Sequence, residues 1–67
     1  MEKQENRLRI LRKEKGLTQT KLANEIGVSK RTIIAWENDE RQIKPEKAQL
    51  LAKHFGVSVG YLLGYDN

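Results

Sequence analysis

The 67-residue sequence has no cysteine, a single histidine and a single proline. Without cysteine there can be no disulfide and no thiolate zinc site, so a chain near the small end of what folds unaided must take its core from packing alone. His54 has no second histidine and no clustered acid near it in sequence, and it is expected as a helix-end residue that complements the helix dipole. No paired acids stand in an apolar setting and no glycine-rich loop is present to cradle phosphates. The residues needed to activate a nucleophile are missing, which excludes an enzyme, and neither metal nor cofactor is expected. No apolar run approaches the roughly 20 residues of a membrane span, and the charged start MEKQENR leads into no signal-type apolar stretch. A cytoplasmic chain with no membrane association is expected.

What is present is charge and helix-forming sequence. Thirteen Lys and Arg against nine Asp and Glu give a net charge of +4, which favours a polyanionic partner without naming it. Residues 1–5 are polar, without a cap or an apolar period, and are expected as a mobile arm ahead of one folded domain at 6–64. A first helix is expected at 6–15, rich in good helix formers and ended by Gly16, with Leu8 and Leu11 facing inward and Arg7, Arg9 and Lys13 facing water. Ile10 lies off that stripe, as peripheral core or as an exposed apolar side chain.

The stretch QTKLANEIGVSKRTIIAWEN organises the rest. Leu22, Ala23, Ile26, Val28, Ile33 and Trp36 fit two short helices at 19–26 and 30–37, broken at Gly27. Thr18 and Ser29 stand immediately before them, each with a hydroxyl able to accept from an orphan amide of the following turn. Ala23 is small enough to let the second helix cross close by. Residues 38–44 read as a polar connection. Pro45 suits the first turn of a helix at 45–55, with Ala48, Leu51, Ala52 and Phe55 inward and Leu50 alongside, and Ser58 caps a last short helix at 59–63.

These features resemble the lambda repressor and Cro family of helix-turn-helix proteins. The resemblance rests on GLTQ at 16–19, Leu22 and Ala23, IGVS at 26–29, Ile33 and WEN at 36–38, flanked by Leu8, Leu11 and Arg12 upstream and by Ala52, FGV at 55–57, Leu62 and Leu63 downstream. It implies an all-α, compact five-helix domain whose second and third helices form the helix-turn-helix, and a transcriptional regulator that binds double-stranded DNA, as a repressor and homodimer on a palindromic operator. The other function class open to the same scaffold is a protein-interaction or antitoxin-like module, because fold does not fix function.

With that frame, the side of the third helix away from Ile33 and Trp36 has the chemistry of a major-groove reader. Arg31 can bond guanine bidentately, Lys30 can bond guanine or phosphate, and Ile34 and Ala35 can lie against thymine methyls. Gln19, whose counterpart in related repressors bonds a backbone phosphate, is expected to do so here, with Ser29, Thr32, Asn38, Arg41 and Lys44 as further phosphate contacts. Glu37 ends a helix where an acid opposes the dipole, and the resemblance implies that it pairs with Arg12 beneath the reading surface. Related sequences usually have glycine where Asp39 stands. Val59, Tyr61 and Tyr65 lie near the chain end, where related repressors bring two subunits together.

Overall fold

The computed structural model describes residues 6–65. They form five helices in chain order: α1 (Leu8–Glu14), α2 (Gln19–Ile26), α3 (Lys30–Glu37), α4 (Pro45–Phe55) and α5 (Val59–Leu63). The described residues contain no strand. None of these helices is long and apolar enough to cross a membrane. The arm expected at residues 1–5 lies outside the described residues.

Helices of five to eleven residues do not persist alone in water, so each end must be fixed and each apolar face covered. The starts of α2, α3 and α5 are fixed by hydroxyls. Thr18 Oγ1 accepts from the Lys21 amide at 3.0 Å, Ser29 Oγ from the Thr32 amide at 3.1 Å and Ser58 Oγ from the Tyr61 amide at 3.0 Å. The first helix starts later than its composition suggests, because Asn6 turns its side chain inward instead of joining it. Asn6 Oδ1 accepts from the Leu8 amide at 3.0 Å, and Nδ2 donates to the Trp36 carbonyl at 2.9 Å.

All five helices end with the same bond. An amide reaches back five residues, from Leu17 to Arg12, Val28 to Ala23, Glu40 to Ala35, Val57 to Ala52 and Tyr65 to Gly60, at 2.9 to 3.1 Å. This closure needs a left-handed residue just before the donor. Glycine fills that place in four helices, and after α3 it is filled by Asp39 at φ 61°.

The core draws one large, fully buried aliphatic from every helix: Leu8, Leu22, Ile33, Leu51 and Leu62 are each 0% exposed. Around them pack Leu11, Ala23, Ile26, Trp36, Ala48 and Ala52, with Leu17, Val28, Phe55, Val57, Val59 and Leu63 partly covered at the edge. Removing one such leucine costs about 2 to 5 kcal/mol. A chain of this length is stable by about 3 to 10 kcal/mol, so no layer of the core is redundant.

Four expectations need correction. The connection at 38–44 is not wholly polar, because Ile43 is buried and joins the core between α3 and α4. Leu50, expected alongside the inward stripe, stays exposed at 43%, whereas Ile10, at 56%, is the exposed apolar side chain of its two alternatives. Phe55 is only half-buried, at the rim of the α4 stripe. Arg7 is half-buried and not a free surface cation: its amide donates to the Leu62 carbonyl at 2.7 Å and its guanidinium lies 4.2 Å over the Tyr61 ring, so the two ends of the fold are tied together. A further tie joins α4 to α2, where His54 Nε2 donates to Glu25 Oε1 at 2.7 Å.

Asp39 carries the only positive φ among the described non-glycine residues, and an L side chain is strained there by sterics that glycine lacks. Asp39→Gly is expected to raise stability by about 0.5 kcal/mol, and Asp39→Val, β-branched, to lower it by about 1 to 2 kcal/mol. Thermal melts read both, as a rise of a few degrees and a larger fall.

Candidate nucleic-acid interface

α3 has the sequence KRTIIAWE and is capped at its start by Ser29. Its inward side is Ile33 and Trp36, seated against α2 and α1. Lys30 and Arg31 are exposed, while Thr32, Ile34 and Ala35 are half-buried. The four expected base contacts therefore share one helix but not one depth: the two cations stand out, and the two apolar side chains lie closer in.

The charge of that surface depends on where the one acid of α3 goes. Glu37 turns inward, and its side chain is 0% exposed. Arg12 Nε donates to Oε2 at 2.6 Å and Arg12 Nη2 to Oε1 at 3.3 Å, a two-point contact of the kind the planar guanidinium favours. Arg12 is itself 8% exposed and spends a third donor on the Leu17 carbonyl at 2.8 Å, which holds the corner between α1 and α2. The structure thus brings Arg12 and Glu37 together under α3, which leaves Lys30 and Arg31 as the only charges on its exposed side.

Gln19 reaches the same carboxylate, its Nε2 donating to Glu37 Oε1 at 3.1 Å. A primary amide has two N–H groups, so this bond orients Gln19 and leaves one donor for another acceptor. Ser29 Oγ and Thr32 Oγ1 are 3.0 Å apart, and Ser29 also accepts the cap bond. One hydroxyl hydrogen of that pair remains available. Asn38 Oδ1 accepts from Arg9 Nη2 at 2.8 Å. Arg41 and Lys44 are exposed, on either side of the buried Ile43.

The three subunit-contact candidates do not share a face. Val59 and Tyr65 border a cleft of about 440 Å³ with Ile43, Ala48 and Leu63, rimmed by Asp39 and Arg41. Tyr61 borders a different groove, with Leu11, Glu14, Phe55 and Val57, and its ring is covered by Arg7. Sequence reasoning also passed over Arg9 and Asn6 as polar partners of α3. Asn6 carried a signal, since asparagine just ahead of a helix is a preferred capping residue. Arg9 carried none, because nothing local distinguishes it from Arg7.

Burial pushes the Glu37 carboxyl up, but hydrogen bonds from Arg12 and Gln19, the charge of Arg12 and the bond from Arg9 outweigh it and hold the group below the ordinary carboxylate range. A carboxyl lowered by folding contributes stability above its unfolded value. That contribution is lost as pH falls below about 4.3 and on through the lower folded value.

The family model described as helix-turn-helix matches residues 8–62. The cryptic phage CTXphi transcriptional repressor RstR of Vibrio cholerae is 40% identical over 58 residues, which are 87% of this chain and 52% of that protein. The uncharacterized HTH-type transcriptional regulator YobD of Bacillus subtilis strain 168 matches with the same identity and coverage. The chain therefore spans about half the length of these two relatives. The uncharacterized HTH-type transcriptional regulator MJ0272 of Methanocaldococcus jannaschii is 37% identical over 62 residues, 92% of this chain and 94% of that protein.

Arg12→Met is expected to cost about 3 to 5 kcal/mol, because it strands a buried carboxylate, whereas Arg12→Met combined with Glu37→Leu recovers most of the loss. In acid titration followed by circular dichroism, Glu37→Gln flattens the fall of stability below about pH 4.3. A single-variant loss under about 1 kcal/mol, the range of exposed pairs, would show that the pair is solvated instead.

Proposed function

The chain belongs to the helix-turn-helix family of lambda repressor and Cro type, and we propose that it is a sequence-specific DNA-binding transcriptional regulator that acts as a repressor and reads the major groove with α3. The observation that carries this reading is the disposition of charge on α3. Its acid is buried and neutralised, its cations Lys30 and Arg31 stand exposed at its N-terminal end, and the helix is held on α2 and α1 by Trp36, Ile33 and the Glu37 carboxylate. A short rod with a fixed seat and a cationic leading end is suited to entering a groove about 12 Å wide.

In this reading Arg31 and Lys30 donate to guanine edges, and Ile34 and Ala35 cover thymine methyls from nearer the domain. Gln19, Ser29, Thr32, Asn38, Arg41 and Lys44 contact backbone phosphates and set the register, Gln19 with the amide hydrogen that Glu37 leaves unused. The protein works in the cytoplasm, on the nucleoid when bound. One copy reaches only a few base pairs, so two copies on half-sites about one helical turn apart supply the affinity. The cleft of Ile43, Val59, Leu63 and Tyr65 supports a homodimer on a palindromic operator, because it gathers apolar side chains near the chain end that a second copy can cover. Tyr61, on the other groove and under Arg7, has no part in that contact.

Selection of sites from random duplex DNA tests the reading, with enrichment of one inverted repeat expected. Arg31→Ala should then cost about 1 to 3 kcal/mol and relax preference at one position of each half-site, whereas Lys44→Ala weakens all sequences alike. Recovery of no preferred site sinks the DNA-reading proposal in favour of a protein-interaction module.

The dimer is tested separately. Tyr65→Glu should weaken binding to the full repeat by roughly tenfold while leaving single half-site binding unchanged. Equal losses on both, by mobility shift, would place the subunit contact elsewhere.

A further inference from the structure

Two guanidinium groups converge on one buried carboxylate. Besides the two contacts from Arg12 and the one from Gln19, Glu37 Oε1 faces Arg9 Nε at 3.4 Å. That oxygen meets three donors, more than its lone pairs can serve well. The longest of the three contacts belongs to a side chain that is 50% exposed, against 10% for Arg12. Arg12 alone neutralises Glu37, so the second guanidinium is a surplus cation held at the solvent end of the cluster. Of its five N–H groups, one points to Glu37 and one to Asn38 Oδ1, which leaves three without a bond to either. The bond to Asn38 also occupies the amide oxygen and leaves the amide nitrogen for another acceptor.

We propose that Arg9 is a DNA-backbone contact, forming with Gln19 and Asn38 a three-residue corner that binds one phosphodiester over the Glu37 carboxylate. This rests on the DNA-binding reading above. Arg9 and Gln19 share Glu37 Oε1 and Asn38 is bonded to Arg9, so the three side chains, each with N–H groups to spare, are gathered where α1, the start of α2 and the end of α3 meet. The anion is a backbone phosphate because the edge borders the C-terminal end of α3, the helix whose other end carries Lys30 and Arg31. When the phosphate arrives, Arg9 can leave Glu37 without stranding it, since Arg12 and Gln19 continue to satisfy the carboxylate.

The test is the salt dependence of binding to a mixed-sequence duplex of about 20 base pairs, measured by fluorescence anisotropy from about 50 to 200 mM salt. Arg9→Gln should lower the slope of log K against log salt by about 0.9 and weaken binding roughly five- to tenfold near 0.1 M. Arg9→Lys, which keeps the charge, should keep the slope, and Lys13→Gln, an exposed cation of α1 outside the corner, should leave it unchanged. In the wild-type protein the Arg9 Nε–H resonance should shift on titration with the same duplex, a readout that needs no variant to fold. A wild-type slope retained in Arg9→Gln, or an Arg9 resonance unmoved at saturation, overturns the corner while the DNA reading stands. A wild-type protein with no salt-dependent affinity for the duplex overturns both.

Discussion

The carboxylate of Glu37 is where three helices of this fold are joined. It sits at the last residue of α3, receives Arg12 from α1 and Gln19 from α2, and is closed off from solvent. A bare carboxylate there would be unaffordable, since moving an ion out of water costs several kcal/mol and the C-terminal end of a helix repels it further. It is tolerated because donors fixed on two other helices surround it. The reverse dependence matters as much. α3 is eight residues long, and its seat on α2 and α1 is set by Ile33 at its middle and by Trp36 and this carboxylate at its C-terminal end.

The same group shapes the electrostatics of the surface above it. A solvent-facing glutamate on α3 would oppose the approach of a polyanion, and turning it inward against Arg12 removes that opposition without removing the residue. The outer side is then left with Lys30 and Arg31. Stability and surface potential are coupled here through one side chain. The coupling extends outward through Gln19 and through Arg9 and Asn38, which take their orientations from Glu37 or from each other.

Around this joint the fold is assembled from helices that cannot stand alone, and their ends receive as much of the structure as their faces. Three hydroxyl caps fix where α2, α3 and α5 start, and five backward-reaching amides fix where all five helices stop. The repeated use of one closure explains the spacing of Gly16, Gly27, Gly56 and Gly64. It also marks the end of α3 as the exception, where Asp39 adopts the same left-handed backbone at greater strain. Just beyond it, Ile43 enters the core and carries the chain from α3 to α4.

The bounds of α2, α3, α4 and α5 could be read in the sequence because the signals that set them act within one turn. A hydroxyl reaches an amide three residues on, a glycine permits a left-handed residue where it stands, and apolar spacing reports which side of a rod is covered. The fold class and the helix carrying the candidate contacts followed from those. What tertiary structure decided were choices between chemically similar residues. Arg7, Arg9 and Arg12 all lie within two turns of one another, yet the first stacks on Tyr61, the second bridges Glu37 and Asn38 at the surface, and the third is buried. Leu50 and Leu51 are neighbours, and only the second is enclosed. Val59 and Tyr65 share a cleft from which Tyr61 is excluded. In each case the outcome depends on which distant carbonyl, carboxylate or ring is brought alongside, and that is fixed by the packing of whole helices, whose partners lie tens of residues away and leave no mark on the local sequence.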